Sequence, residues 1–85
     1  MESVVQHYYF HVRDGHTSLD DTGFECTDMD DVRKEALRTA GAILKEIGPE
    51  FWKHRLWTMW VTNEAGAIVL TLNFSANEPY SGRSH

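Results

Sequence analysis

Cysteine is the scarcest feature of this chain: Cys26 stands alone in 85 residues. A single cysteine excludes an internal disulfide framework and a multi-cysteine zinc site. Long apolar runs are missing too. No stretch approaches the roughly 18–20 residues of a membrane span, so no membrane partner is expected. Met1-Glu2-Ser3 has neither the basic nor the apolar region of a secretory signal, and cytoplasmic residence is the expectation. Positive charge is in short supply. Eight Lys and Arg face thirteen Asp and Glu, giving a formal net charge of -5 and a pI of 5.4. That balance speaks against indiscriminate nucleic-acid binding.

What is present is an ordinary globular composition, 41% hydrophobic and 25% charged, which excludes a disordered tail or a fibre. The length allows one domain. A chain of this size buries only about 60–65% of its unfolded surface and is marginal alone. With no disulfides and no evident metal site to add to the core, oligomerisation is the expected reinforcement. Three Trp, four Phe and three Tyr are a heavy aromatic load for so small an interior, so some of that surface is expected between chains. Residues 4–75 read as the domain and 76–85 as a tail. Ser81-Gly82-Arg83-Ser84-His85 look like the remnant of a vector-encoded tag.

Residues 4–13 are rich in β-branched and aromatic side chains, without Gly or Pro, and predict a strand. Tyr8, Phe10 and Val12 share one of its faces; His7, Tyr9, His11 and Arg13 share the other. Asp14-Gly15 marks a turn. A weaker strand spans Leu19–Cys26, where Gly23 suggests a bulge or a close backbone approach. Thr27 is positioned to cap a helix, and Asp28, Asp30 and Asp31 suit the positive end of its dipole. Met29, Val32, Ala36, Leu37, Ala40, Ile43, Leu44 and Ile47 fall within an apolar arc of about 140°. Arg33 intrudes on that arc, but its stem can snorkel. Gly48-Pro49 ends the helix. A connector carrying Phe51 and Trp52 follows. Strands Leu56–Thr62 and Ala67–Phe74 are then joined by Asn63-Glu64-Ala65-Gly66, a loop that suits a type I turn closed by a left-handed glycine.

The expected fold is therefore α+β, ordered strand–strand–helix–strand–strand. Its four-stranded antiparallel sheet has one long helix packed on one face. The helix should cover Phe10, Val12, Trp57, Met59, Val61, Leu70 and Leu72. Strict alternation leaves Tyr9, Trp60 and Val69 on the bare face, with His7, His11, Arg13, Thr58, Thr62 and Thr71. An aromatic patch of that kind marks a contact surface.

The opening Tyr8-Tyr9-Phe10-His11-Val12-Arg13-Asp14-Gly15 carries a family resemblance. So do Asp28, Glu35-Ala36, Val61-Thr62, Glu64-Ala65-Gly66 and the closing Leu70-Thr71-Leu72 with Phe74. Over roughly residues 7–75 the chain resembles a family of short bacterial domains of unknown function, found chiefly in soil- and plant-associated bacteria. The resemblance implies no activity, cofactor or catalytic residue. The chain departs from the family pattern at Asn63, where Asp is usual, and its loop from Gly48 to Leu56 is longer. A looser likeness to the sheet-and-helix antitoxins of toxin–antitoxin pairs is one of layout alone.

Individual candidates reduce to ordinary roles. His7 and His11 lie about 13 Å apart along a strand, too far to share one ion, and no metal is expected. Residues 14–31 hold seven acids and no Lys or Arg, but their spacing fails the calcium-loop pattern. Lys34, Arg38 and Lys45 share the exposed side of the helix as a possible basic face, with Asp30, Asp31 and Glu35 close enough to offset them. Cys26 precedes the helix among carboxylates that raise a thiol pKa, which suits a small inert core residue. No nucleophile-elbow, zinc-helix or phosphate-loop pattern appears, so neither catalysis nor a cofactor is expected.

Two function classes remain. The first is a non-catalytic protein-interaction or regulatory module, a homodimer joined through the aromatic sheet face or a sheet edge, with a further protein partner allowed. The second is a single-stranded nucleic-acid binder that stacks bases on Tyr9, Trp60 and His11 and meets phosphate with Arg13. The acidic balance disfavours the second.

Overall fold

The structure is a computed structural model that describes residues 5–79. Val4, where the first strand was expected to begin, and the tail from 80 onward, including Ser81–His85, lie outside the described residues. The elements are β1 (Gln6–Arg13), β2 (Thr17–Ser18), β3 (Phe24–Cys26), α1 (Met29–Ile47), a 3-10 turn (Gly48–Glu50), α2 (Phe51–His54), β4 (Leu56–Thr62) and β5 (Ile68–Ser75). The protein is α+β, with an antiparallel sheet of five strands and α1 as its long helix. No helix of the described residues is long and apolar enough to cross a membrane.

Of the expected second strand, Leu19–Cys26, only Phe24–Cys26 is strand (β3), and a two-residue strand, β2, precedes it. Both pair with β1 on the side away from β4, so the lateral order is β2 or β3, then β1, β4, β5. β2 places Ser18 opposite Val12, whereas β3 places Phe24 opposite Tyr8. The register has shifted by two residues between them, and the excess chain loops out. Asp20 fills the gap. Its carboxylate accepts the backbone N–H of Phe10 at 3.0 Å, where a ladder carbonyl would otherwise sit. It also accepts the N–H groups of Thr22 (3.0 Å) and Gly23 (3.2 Å). Gly23 is required here twice over: its φ is 80°, and a Cβ would come within 2.9 Å of the Tyr9 ring.

Helix α1 starts one residue later than expected. Asp28, not Thr27, is the N-cap: it is extended, and its Oδ1 accepts the Asp31 N–H at 2.9 Å. Asp31 reaches back to accept the Thr27 N–H and hydroxyl. This resembles a capping box moved one residue outward, with acids in both roles. At the other end the Gly48 N–H bonds the Leu44 carbonyl. The connector is ordered rather than irregular: α2 stops at Arg55, a left-handed residue at φ 59°. Arg55 is held there by its N–H to Phe51 O, its carbonyl to Ala76 N–H and its guanidinium to Glu78.

The helix packs on the sheet through Val32, Ala36 and Ala40, all fully buried. Small side chains let the helix axis approach closely, and Trp57, Met59 and Val61 of β4 fill the space beneath. Trp57 meets Phe74 edge-on at 5.7 Å, while its buried indole N–H has no acceptor among the described residues. Leu37, expected in the buried arc, is 60% exposed. Arg33 points away from the core and pairs with Asp30 at 2.8 Å.

The hairpin closes as its loop implies. The Asn63 N–H bonds Ala67 O, its side-chain oxygen accepts the N–H of Ala65 and Ala67, and Gly66 takes φ 86°. Asn63 thus performs with its amide oxygen the turn role that an Asp would perform. Beyond the loop, Thr62 pairs with Ile68 but Val61 pairs with Leu70. One residue, Val69, is extra. This bulge inverts the alternation of everything before it, with consequences for the bare face.

Burial alone would raise the Asp20 carboxyl, but the N–H groups of Phe10, Thr22 and Gly23 outweigh it and hold it below the usual carboxylate value. Asp31 is lowered first by the Thr27 hydroxyl and then by the Thr27 N–H. Depressed carboxylates stabilise the fold above their unfolded pKa and lose that effect as pH falls through the folded value. Chemical denaturation is therefore expected to show stability falling below about pH 4, with a shallower fall in Asp20→Asn. Asp20→Ala at pH 7 should cost about 1–3 kcal/mol, because the Phe10 N–H loses its acceptor.

Candidate functional site

β1 and β4 are the central strands, and their outward residues build the uncovered face. The register sets His11 beside Trp60, Tyr9 beside Thr62 and Arg13 beside Thr58. His11 is held at both ring nitrogens. Nδ1 accepts the Asp20 backbone N–H at 3.0 Å, so the ring proton sits on Nε2, 2.9 Å from Thr62 Oγ1. Fixed in this way, the imidazole lies 5.3 Å from the Trp60 ring at a tilt of 35°. Tyr9 lies against Gly23. These three rings are packed on neighbours rather than free, and Trp60 and Tyr9 are half-buried.

The most exposed apolar side chains on this face are Ile68, which alternation placed on the other side, and Leu56, which shares the strand parity of Thr58 and Trp60 but was not among the residues expected there. Ile68, displaced by the bulge, is 63% exposed, and Leu56 is 52% exposed. With Trp60, Thr58 and Arg13 they line a shallow groove of about 290 Å³. Val69 moves the other way: the bulge takes it off the bare face and packs it against the core. The left-handed Gly66 signals the irregularity that closes the loop at Asn63 and Ala67; the sequence carries no such signal for the second one at Val69.

Other candidates are dispersed. Arg38 is held by the Glu35 carboxylate at 2.8 Å, so Lys34 and Lys45 are left without an ion pair among the described residues of that helix side. His7 sits between Glu25 (3.7 Å) and Glu64 (3.6 Å). Cys26 is buried in the core. Burial, and then Asp31, Glu35 and Asp28, push its thiol up.

Two further depressions flank the molecule. One, of about 440 Å³, runs between α1 and the interrupted edge and includes Asp20, Phe24, Glu35 and Ile43. The other, of about 370 Å³, lies where the turn after β1 meets α2. There the His54 ring rests on Gly15, where a Cβ would fall 2.4 Å from Nε2. Asp14 and His16 stand 3.6 Å apart at its rim. Among the described residues no three His, Cys, Asp or Glu side chains converge as a metal-ligand group.

Residues 7–75 match the family model described as Domain of unknown function (DUF6894). No curated protein and no solved structure matches the chain.

Two measurements test this geometry. Imidazole ¹⁵N shifts at neutral pH should report His11 as the Nε2–H tautomer; an Nδ1–H ring would contradict the Asp20 bond. A thiol reagent should label Cys26 slowly in the folded protein and rapidly after denaturation, and comparable rates would refute the buried, raised thiol.

Proposed function

The chain belongs to the family Domain of unknown function (DUF6894), and we propose that it acts as a non-catalytic protein-interaction module that self-associates. The reading is carried by apolar side chains left uncovered around the outer strand β5. Ile68 stands exposed on one face of that strand and Phe74, 37% exposed, on the other, with the exposed Trp52 beside Phe74. A chain of this size has little interior to spare for such surface. Burying it between copies recovers roughly 25 cal/mol for each Å² removed from water. The groove beside Trp60 suits a protein surface better than a nucleic-acid strand, because Arg13 is the single cation among its lining residues.

Sedimentation equilibrium across a concentration series is the test. The mass should reach about twice 9.8 kDa by micromolar concentrations. A single-chain mass persisting at high micromolar concentration would overturn self-association.

A further inference from the structure

The two edges of the sheet differ in kind. On one side the edge is broken into β2 and β3, two and three residues long. Asp20 occupies the gap between them, and Asp21 and Glu25 flank it. No continuous ladder can form there. On the other side β5 runs for eight residues, Ile68–Ser75, with no charge and no proline. Exposed edges are commonly guarded by Lys, Pro, bulges or inward charges. Past its single bulge at Val69, β5 has none of these.

The register shows which backbone groups of β5 are free. The Ala76 N–H bonds the Arg55 carbonyl at 3.0 Å. Hydrogen-bonded and non-bonded pairs alternate along an antiparallel ladder. Counting back through the pairs Trp57–Phe74, Met59–Leu72 and Val61–Leu70, it is Thr71, Asn73 and Ser75 that turn their N–H and C=O groups outward. Their side chains lie on the uncovered face. Leu70, Leu72 and Phe74 lie on the helix side.

We infer that a second copy of this chain pairs antiparallel along β5, about a two-fold axis perpendicular to the sheet at Asn73. This centre matches Asn73 with itself and Thr71 with Ser75 of the partner subunit, so every outward backbone group of the regular stretch finds a partner. It also sets Leu72 against the partner's Phe74 on the helix side. Three observations favour a second copy over a foreign strand. The segment Thr71–Ser75, centred on Asn73, alternates polar and apolar identically in both directions, so it is complementary to itself about this axis. The strand is uncharged, so two chains of net charge -5 meet where neither strand carries charge, with Asp20, Asp21 and Glu25 at the opposite edge. The broken edge cannot accept β5, which blocks head-to-tail growth and closes the assembly at two. The dimer carries both helices on one side and joins the two uncovered faces on the other.

The inference rests on the self-association reading, and the experiment separates the two. Asn73→Lys places like charges across the axis, and Thr71→Pro removes an outward N–H that the β4 ladder does not use. Both variants should keep the wild-type circular dichroism and sediment as single chains where the wild type is a dimer. Asn73→Cys, whose side chain is exposed, should form a covalent dimer on mild oxidation, and this readout survives if a strand variant folds poorly. A wild-type dimer that persists in both variants, with no Asn73→Cys cross-link, overturns the edge pairing and leaves self-association standing. A wild-type monomer at high micromolar concentration overturns both.

Discussion

A carboxylate in place of a backbone carbonyl organises this fold. Asp20 takes the Phe10 N–H that a continuous edge strand would have taken, and gathers the N–H groups of Thr22 and Gly23 into the same contact. Its own backbone N–H orients His11, and His11 in turn lies against Trp60 and Thr62. One residue therefore ends the ladder on one side of the sheet and arranges the rings on its uncovered face. The two-residue shift between β2 and β3 is the geometric trace of that substitution.

The broad architecture was legible because local signals agreed with one another. Apolar spacing at the helical period, acids before it and Gly48-Pro49 after it bracket α1 closely. The Asn63–Gly66 loop announces the β4–β5 hairpin, and Phe10, Val12, Trp57, Met59 and Val61 fall under the helix as alternation requires. The misplacements have specific causes. Thr27 and Asp28 are both competent caps; Asp28 takes the role while the Thr27 N–H and hydroxyl are engaged by Asp31. Leu37 satisfies the helical period, but at the centre of the contact the sheet meets the narrow stripe of Val32, Ala36 and Ala40. Composition could not show that Asp20 would split the second strand, although Asp20-Asp21-Thr22-Gly23 has the residues of a side-chain-capped turn.

The candidate surface was half legible. Tyr9, His11, Arg13 and Trp60 share the uncovered face as the strand period demands, because β1 and β4 pair without irregularity. What the period does not contain is how tightly those rings are already engaged by Gly23, Asp20 and one another. The exposed apolar character of the face comes instead from Leu56 and Ile68. Charge is distributed just as unevenly. Acids gather at the broken edge and the helix start, while six of the eight Lys and Arg lie between Arg33 and Arg55. Arg33, Arg38, Lys53 and Arg55 each meet a nearby carboxylate, of which only Asp30 belongs to the acid-rich residues 14–31, so the basic segment is offset locally while most of those acids keep their charge.

The bulge at Val69 governs how the uncovered face can change over time. Substitution alters one side chain where it stands, and each position keeps its side of the sheet. Loss or gain of a single residue in the bulge would exchange the sides of the strand's first residues, drawing Ile68 beneath the helix. The exposed end of β5 can therefore be rewritten in two ways, gradually by replacement or at one stroke by a change of length. Related chains that differ by one residue here should present different surfaces on an unchanged core.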